Sequence, residues 1–408
     1  MSVQEKEKQK RWTHPRHGVV TNIVKAVLAP YCRWRYGVAV EPFAGQGDRP
    51  YLVLYNHQTP FDQFFVGMAF KGAVYYMATE DIFSLGWISD VLRWLVNPIP
   101  IRKQTTDIQA VMNCMRIARE GGTIAIAPEG NRTYSGRTEY MNPAIAGLIK
   151  KLKLPVALFR IEGGYGIEPR WSSVTRKGKM KAYVGEVIEP EEIEVMTKDQ
   201  IMQRLRQGLD VREDCVSGEF RHKKSAEFLD RAMYVCPDCG LAAFYSQGQI
   251  IRCTKCGWEI RYLPTKELEG VQKPFPHRFV YQWYQAQKNY VNSLDLTQCT
   301  REPLFRDRAR LSEVLLYKKK KLLRDQASFA LYGNRVVVDE GSDNELVLPF
   351  EAIHAASALG RNKLNLYVGD TVYQVKGDNH FNSLKYVNLY FRFKNMQKGD
   401  LHGEFLGL

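Results

Sequence analysis

The sequence has no long uninterrupted apolar run. Its two best candidates for a membrane-spanning helix are residues 64–70, which are too few, and residues 83–101, which are interrupted by Asp90 and Arg93. Residues 1–16 are rich in lysine and arginine but lack the apolar core of a signal peptide. The sequence therefore predicts a cytoplasmic protein without a membrane span.

Acidic residues are scarce relative to basic ones. The 408 residues include 44 aspartates and glutamates against 58 lysines and arginines, which gives a formal net charge of +14 and a pI near 9.3. This excess predicts attraction to a polyanion, either an anionic membrane surface or nucleic acid. A chain of 408 residues is also too long for one average domain, so two or three domains are expected.

The eight cysteines lack the pattern of a secreted, disulfide-linked chain. Four of them are scattered along the sequence and are most simply interpreted as reduced, small apolar residues. These four are Cys32, Cys114, Cys215 and Cys299. The other four form two Cys-x-x-Cys pairs, which is a pattern of a different kind.

The two Cys-x-x-Cys pairs predict a metal site. Cys236 and Cys239 are separated from Cys253 and Cys256 by thirteen residues, and a glycine follows each pair. Four thiolates at this spacing suit tetrahedral Zn²⁺ and close its coordination sphere, so the zinc would be structural. Residues 230–263 are thus predicted to form a zinc ribbon. Redox chemistry would need a thioredoxin-like strand and helix context that the sequence lacks, and rubredoxin-like iron is the alternative metal.

Residues 56–62, Asn-His-Gln-Thr-Pro-Phe-Asp, follow a short apolar run that predicts a buried strand. Thr59 and Pro60 are typical of a helix cap and a first helical residue, which would place Asp62 in the first turn. A carboxylate that accepts a hydrogen bond from Nδ1 of His57 leaves the other ring nitrogen free to take a proton from a hydroxyl. The pattern indicates a general base with its orienting partner. The alternative is that Asp62 only satisfies free N–H groups at the helix start.

A second apolar run also ends in a polar loop, within residues 124–133. The loop contains the carboxylate of Glu129, a flexible backbone position at Gly130 and the guanidinium of Arg132, which is suited to bidentate phosphate contacts. Functional groups in open parallel sheets collect at the carboxyl ends of strands. The loop therefore favours the hypothesis that His57 is a general base over the alternative that Asp62 only satisfies free N–H groups at the helix start.

Together these blocks resemble the lysophosphatidate acyltransferase family of glycerolipid acyltransferases. The histidine–aspartate block is residues 56–62, and the proline-glutamate-glycine-x-arginine block is residues 128–132. The resemblance covers roughly residues 15–215. It implies transfer of a fatty acyl chain from acyl-CoA or acyl carrier protein to the hydroxyl of a lysophospholipid, most simply lysophosphatidate. In that reaction His57 would be the base and Asp62 its orienting partner.

The resemblance also implies which residues bind the acceptor. Glu129, Gly130 and Arg132 would hold the phosphate region of the lysolipid. A weaker, proline-containing block departs from the family pattern, so that either Arg102 or Lys103 supplies the charge usually found there. Because this departure bears on the acceptor more than on the reaction, acylation of another glycerolipid is the alternative.

The remaining organisation follows from the periodicity of the sequence. Alternating strand and helix signals predict an α/β acyltransferase domain over residues 41–215. Residues 264–300 are interpreted as a helical connector whose aromatic stripe is used for packing. Residues 301–397 resemble a PH/GRAM-like β-barrel with a C-terminal helix, in pattern only. The runs that indicate its elements are strands at 328–331, 335–338, 345–348, 363–368 and 371–375 and a helix at 379–393.

The N-terminal segment, residues 1–40, is basic and amphipathic. A helical apolar stripe is formed by Val20, Val24, Val27 and Tyr31, and basic and aromatic residues follow it. Such a helix either lies in the headgroup layer of a membrane or packs on the core of its own domain. A helix in the headgroup layer, together with the positive net charge, predicts peripheral binding on the inner face of the membrane.

A non-enzymatic zinc-ribbon protein that binds nucleic acid is the candidate from another functional class. The predicted ribbon and the basic charge support it. Residues 241–252, between the two cysteine pairs, have modest charge and no basic-aromatic platform. Acidic lipid headgroups explain the charge equally well, so no nucleic-acid partner is expected.

Overall fold

The computed structural model describes residues 11–79, 87–101, 108–138, 140–314, 320–400 and 402–405. The chain divides into two compact units, called the α/β unit and the β-rich unit below. The α/β unit comprises Met1–Thr133, Arg137–Ile167 and Lys177–Val216, and the β-rich unit comprises Tyr134–Gly136, Glu168–Arg176 and Ser217–Leu408. The finer five-segment division made from the sequence stays a prediction.

The α/β unit contains a seven-stranded mixed sheet. Its strands are β1 (Val38–Val40), β2 (Leu52–Tyr55), β3 (Val74–Thr79), β4 (Ile99–Ile101), β5 (Thr123–Ile126), β6 (Val156–Glu162) and β7 (Met180–Ile188). They are ordered β1-β7-β6-β2-β5-β3-β4 across the sheet. The five strands from β6 to β4 are parallel, and β7 runs antiparallel to β6. The predicted α/β class is thus confirmed for this unit.

Helices precede, separate and follow these strands along the chain. They are α1 (Pro15–Tyr36), α2 (Asp62–Ala69), α3 (Trp87–Val96), α4 (Ile108–Arg119), α5 (Ala144–Leu152), α6 (Gly164–Ile167), α7 (Pro190–Val195) and α8 (Lys198–Leu209). The central strand β2 is buried at all four positions, as expected when helices cover both faces of a parallel sheet. This burial explains why its sequence is continuously apolar or aromatic.

The exposed apolar stripe of helix α1 coincides only in part with the one the sequence predicts, since Val27 and Tyr31 are exposed and the other two members are not. Val20 and Val24 are half-buried, whereas Val19, Ile23 and Val27 are each about 60% exposed or more. Four-residue spacing places these three side chains on one face of the helix. Among the described residues, no helix combines the length and apolar composition of a membrane span.

The β-rich unit contains two small sheets near the cysteine pairs. One joins β8 (Val235–Cys236) to β9 (Gly240–Leu241), and the other is formed by β10 (Phe244–Gln247), β11 (Ile250–Cys253), β12 (Glu259–Tyr262) and β13 (Leu268–Gly270). The helix α9 (Val280–Ser293) follows them. Its Trp283 is buried, and Trp283 Nε1 donates to the carbonyl of Val235 at 2.8 Å. This confirms that Trp283 of the aromatic stripe is used for packing.

A second sheet of seven strands follows, all antiparallel to their neighbours. Its strands are β14 (Phe305–Glu313), β15 (Lys321–Leu331), β16 (Arg335–Val338), β17 (Leu346–Pro349), β18 (Ile353–Leu359), β19 (Lys363–Val368) and β20 (Thr371–Gly377). The order is β17-β16-β15-β14-β20-β19-β18, and helix α10 (Leu384–Gln397) follows.

The sequence pattern predicted five of these seven strands but not β14 or β18. Outward arginines alternate with inward residues in β14, so its apolar run is never continuous. Strand β18 is rich in alanine and serine, which have weak strand preference. The C-terminal helix begins at Leu384, five residues later than predicted. A β-rich domain closed by a helix is therefore present, and its PH/GRAM-like identity stays a prediction.

Candidate active site

Three neighbouring parallel strands of the α/β unit end at one edge of the sheet. The central strand β2 lies between β5 and β6, and each of the three continues into a loop that carries polar groups. His57 follows β2, Glu129 follows β5, and Gly163 follows β6. This edge is where ligand sites occur in open α/β sheets.

His57 and Asp62 form a hydrogen-bonded pair. Nδ1 of His57 lies 2.8 Å from Oδ2 of Asp62. The Asp62 side chain is fully buried, whereas 23% of the His57 side chain is exposed. The orienting carboxylate is thus fixed inside the unit, and the imidazole extends to the surface, as a general base and its partner require.

Asp62 is held by more than the imidazole. Its Oδ2 accepts a hydrogen bond from the backbone N–H of Gln58 at 2.6 Å, and its Oδ1 accepts one from Thr59 Oγ1 at 2.6 Å. Helix α2 begins at Asp62 itself. The prediction that Thr59 caps the helix and Pro60 begins it was therefore wrong, because Phe61 is the residue that precedes the first helical residue. The Thr59 hydroxyl donates to Asp62 and accepts the N–H of Phe61, ahead of the helix.

The loop after β5 holds the backbone of His57 from both sides. Oε1 of Glu129 accepts a hydrogen bond from the His57 N–H, and the Thr133 N–H donates to the His57 carbonyl, both at 3.1 Å. Gly130 has φ of +72°, a left-handed conformation that favours glycine, and closes a turn onto the Ala127 carbonyl. The half-buried Arg132 lies in the same loop.

Sequence reasoning missed the contribution of the segment after β6. The side-chain amide of Asn56 donates to the carbonyl of Ile161 and accepts from its N–H, both at 2.8 Å. Gln58 Oε1 accepts from the Tyr165 N–H at 3.1 Å. A Cβ at Gly164 would lie 2.8 Å from that same Gln58 oxygen, so only glycine fits. The run of glycines directly after a predicted strand was the available signal.

A buried glutamate secures the turn that follows β6. Glu213 Oε1 accepts a hydrogen bond from the Gly163 N–H at 2.6 Å. Gly163 has φ of +86°, and a Cβ there would lie 2.7 Å from the Lys179 carbonyl oxygen. Position 163 is consequently restricted to glycine. The turn is held by Glu213, which lies 50 residues later in the sequence.

A tyrosine next to the pair is kept uncharged. Burial raises the pKa of Tyr55, and the negative charge of Asp62 raises that pKa further. Its ring lies edge-on to the imidazole of His57, with 6.1 Å between the ring centroids. Tyr55 therefore supplies an apolar wall beside the base and does not compete with it for a proton.

Arg102 and Lys103, which the sequence offered as alternative sources of a positive charge, lie outside the described residues. Of the predicted site residues that are described, the structure brings together His57, Asp62 and Glu129 by direct hydrogen bonds. Gly130 and Arg132 belong to the same loop as Glu129. The roles of all these residues in catalysis and binding stay predictions.

In the β-rich unit, the four cysteines of the two Cys-x-x-Cys pairs lie together. Their sulfur atoms are all within 4.8 Å of one another, and the Sγ atoms of Cys236 and Cys256 are 3.8 Å apart. A tetrahedral ion with zinc–sulfur bonds of about 2.3 Å requires sulfur atoms roughly 3.8 Å apart. Gly240 and Gly257, which follow the pairs, have φ of +68° and +76°. The four thiols thus fit a metal ion.

Comparison with known proteins finds a family match within the α/β unit. Residues 38–160 match the family model described as Acyltransferase, a segment that includes both motif blocks. One matching solved structure is the 1-acyl-sn-glycerophosphate (LPA) acyltransferase PlsC from Thermotoga maritima, with 18% identity and a TM-score of 0.41 over 51% of this chain and 80% of that chain. No curated protein has a matching sequence. The family match confirms the resemblance noted from the sequence.

Proposed function

We propose that the protein transfers a fatty acyl chain from an acyl thioester to the hydroxyl of a lysophospholipid, most simply lysophosphatidate. The match of residues 38–160 to the Acyltransferase family model supports this proposal. The supporting observation is the hydrogen-bonded pair of His57 and Asp62 at the carboxyl edge of the parallel sheet. The donor is acyl-CoA or acyl carrier protein. Another glycerolipid is the alternative acceptor.

The reaction needs one base. With Nδ1 of His57 donating to Asp62, Nε2 takes the proton of the acceptor hydroxyl as its oxygen attacks the thioester carbonyl. A carbon–oxygen bond forms, the carbon–sulfur bond breaks, and the leaving thiolate receives the proton from the imidazolium. The buried charge of Asp62 stabilises the imidazolium between these two steps.

The loop after β5 is proposed to recognise the acceptor. Arg132 offers a planar guanidinium to phosphate oxygens, and Gly130 lets the loop backbone approach the ligand closely because it has no side chain. A lysolipid with a terminal phosphate has the charge to match this arginine. A neutral acylglycerol does not.

The test is a substrate panel. Purified protein is incubated with acyl-CoA or acyl carrier protein and a series of lysolipids, and products are identified by mass spectrometry, with His57→Ala as the control for contaminating activity. We expect phosphatidate from lysophosphatidate with wild-type protein. No acylated product from any donor and acceptor, or equal product from His57→Ala, would contradict the proposal.

We further propose that Cys236, Cys239, Cys253 and Cys256 bind one structural Zn²⁺ ion, which their sulfur spacing supports. Four thiolates fill the coordination sphere, so the ion would stabilise the fold without taking part in acyl transfer. Metal analysis should find about one zinc per chain, and Cys253→Ser should reduce this content. Metal-free protein with unchanged stability would contradict the proposal.

Peripheral binding to the inner face of the cytoplasmic membrane is proposed from the exposed stripe of α1, which contains Val19, Ile23 and Val27. Trp34 on the same helix is 79% exposed, and Arg33 and Arg35 near the helix end would face anionic headgroups. The adjacent α3 contributes an exposed tryptophan, Trp94, whose carbonyl accepts from Arg16 Nε at 3.1 Å.

Sedimentation with anionic vesicles tests this proposal. Val27→Glu places a charge in the apolar stripe and should weaken binding, whereas Val195→Glu is a matched control because Val195 is 83% exposed on another helix. Equal binding by the two variants would show that α1 does not contact the lipid.

We also propose that β14–β20 with α10 is a PH/GRAM-like domain. The support is its topology, in which two antiparallel meanders of four and three strands are joined through β14 and β20 and a helix follows. An experimental structure with a different strand order in this region would contradict the assignment.

A further inference from the structure

Carboxylates accept the backbone N–H groups of three successive residues around the base. The N–H of His57 donates to Glu129 at 3.1 Å. The N–H groups of Gln58 and Thr59 both donate to Asp62, at 2.6 Å and 3.0 Å. The loop that carries the imidazole is thus fixed by two negative side chains from two different strand ends.

The charge of Glu129 argues against a direct contact with the acceptor phosphate. A carboxylate and a phosphate repel each other at contact distance, whereas the guanidinium three residues later attracts a phosphate. Oε1 of Glu129 instead accepts a hydrogen bond from the backbone N–H of the proposed base. On the opposite side of that peptide, the Thr133 N–H donates to the His57 carbonyl at 3.1 Å.

We infer that Glu129 is a positioning residue for His57 and not a ligand of the acceptor. This inference rests on the proposed acyltransferase function. The carboxylate holds the His57 peptide so that Nδ1 stays on Asp62 while Nε2 points toward the acceptor hydroxyl. Displacement of a reacting group by about 1 Å costs up to ~100-fold in rate. The Glu-Gly-x-Arg loop then has two separate tasks, with Glu129 acting on the base and Arg132 on the acceptor.

Steady-state kinetics separate the two roles. Glu129→Ala removes the acceptor of the His57 N–H and should lower kcat by about 100-fold while the KM for the lysolipid changes less than about twofold. Glu129→Gln keeps an oxygen at the same reach and should recover most of the lost kcat. Glu129→Asp is one methylene too short and should behave like the alanine variant. Arg132→Ala is the matched control, and it should raise the KM for the lysolipid.

Two kinetic outcomes would overturn the inference. The first is a raised lysolipid KM with unchanged kcat in Glu129→Ala, which is the behaviour of an acceptor ligand. The second is equal loss of kcat in Glu129→Gln and Glu129→Ala, which would mean that the hydrogen bond to His57 is not what matters. Thermal unfolding of each variant identifies any that fails to fold. If Glu129→Ala does not fold, the kinetics of Glu129→Gln decide whether the inference holds.

Amide hydrogen exchange gives a measurement that does not need turnover. The exchange rate of the His57 amide should rise in Glu129→Ala and stay near the wild-type value in Glu129→Gln, while amides of β6 are unchanged in both. An unchanged His57 exchange rate in Glu129→Ala overturns the inference, whatever the activity. If instead the exchange result holds and wild-type protein acylates nothing, it is the proposed function that fails.

Discussion

Two histidine–aspartate pairs, one in each unit, occur among the described residues, and their immediate geometry is nearly the same. Nδ1 of His57 lies 2.8 Å from Asp62, and Nδ1 of His380 lies 2.6 Å from Asp230. Both aspartate side chains are buried, and both imidazoles are partly exposed, by 23% and 30%. On bond length and burial alone the two pairs are equivalent.

Their surroundings differ. Ser246 donates its hydroxyl to Asp230, and the ring of Tyr245 stacks on His380 with 4.6 Å between centroids. Phe228 packs against the same imidazole at 5.0 Å. Burial raises the pKa of the Asp230 carboxyl, against the opposing effect of its hydrogen bonds from Ser246 and His380. This pair connects parts of the β-rich unit that are 150 residues apart in the chain, so it stabilises tertiary structure.

The pair at His57 lies instead where three parallel strands end, beside a loop that carries Glu129 and Arg132. Its two members are only five residues apart in sequence, so the contact contributes little to holding distant segments together. A buried aspartate on an imidazole is therefore not by itself a sign of catalysis. The position at the carboxyl edge of the parallel sheet, with Glu129 bound to the His57 backbone, distinguishes the proposed base from a structural histidine.

The largest effect on turnover is expected from substitutions in the His57–Asp62 pair. His57→Ala should lower turnover by about 100- to 10,000-fold without unfolding the protein, because the base is lost. Asp62→Asn should do similar damage, since an amide favours the wrong tautomer and removes the charge that stabilises the imidazolium. The losses should not add in the double variant, because both residues serve one proton transfer. Additive losses would separate their roles.

Arg132 tests a further difference between the two pairs, because it is the positively charged residue of the loop beside His57 and Asp62. Arg132→Ala should raise the KM for a phosphate-bearing lysolipid by a factor that corresponds to about 2 kcal/mol, the usual value of one charge-assisted hydrogen bond. The KM for the acyl donor should change little. A similar rise for both substrates would indicate a structural role for this arginine.

His380→Ala tests the other side of the comparison. It leaves the buried Asp230 with one hydrogen bond fewer and should lower the free energy of unfolding by about 2 kcal/mol, while turnover is retained. Urea unfolding followed by tryptophan fluorescence measures this loss, with His402→Ala as the control because His402 is exposed in the same unit. A turnover loss without a stability loss in His380→Ala would mean that the second pair is functional.

A third histidine, His17, is buried with its Nδ1 3.0 Å from the hydroxyl of Tyr75, and it should give the smallest effect. Burial lowers the pKa of His17 to about 4, and the positive charges of Arg16 and His14 add to this. The unfolded chain therefore binds the proton first, so the contribution to stability is complete above pH 6.5 and is lost as the pH falls toward 4. After solvent screening we expect about 1 kcal/mol.

The measurement is the urea midpoint of wild-type and His17→Gln protein at pH 7 and pH 4.5. The wild-type midpoint should fall more on acidification than that of the variant, which cannot take up this proton. Equal falls would show that the buried imidazole of His17 does not contribute to acid sensitivity.

Local patterns predicted most elements of the α/β unit. The sequence predicts strands at residues 51–55, 74–78, 123–127 and 156–161 and helices at 106–119 and 143–151. Strands β2, β3, β5 and β6 and helices α4 and α5 lie within two residues of these bounds, because continuous apolar strands and amphipathic helices leave strong signals in sequence. Strand β14 was missed because its alternating arginines resemble a charged loop. The stripe of α1 was right at Val27 and Tyr31 but one position off at Val19 and Ile23, since the packing of Cys32 and Tyr36 decides which face of that helix is covered.

The sequence by itself determined the contacts whose partners are close along the chain. His57 and Asp62 are five residues apart, so a strand, a turn and a helix start bring them together. The cysteine spacing likewise predicted a cluster of four thiols that fits a metal ion, because each Cys-x-x-Cys pair is a local turn. Such contacts depend on few backbone angles, and the residue types in a short motif limit those angles directly.

Only the tertiary structure decided the contacts between strand ends. That Glu129 holds the backbone of His57, that Gly164 packs on Gln58, and that His380 reaches Asp230 follow from the order of strands and the packing of loops. Backbone and side-chain hydrogen bonds across 72 or 150 residues leave no periodic trace in a single sequence. They exist because burial of the apolar sheet faces brings those ends together, and the polar groups there must then find partners.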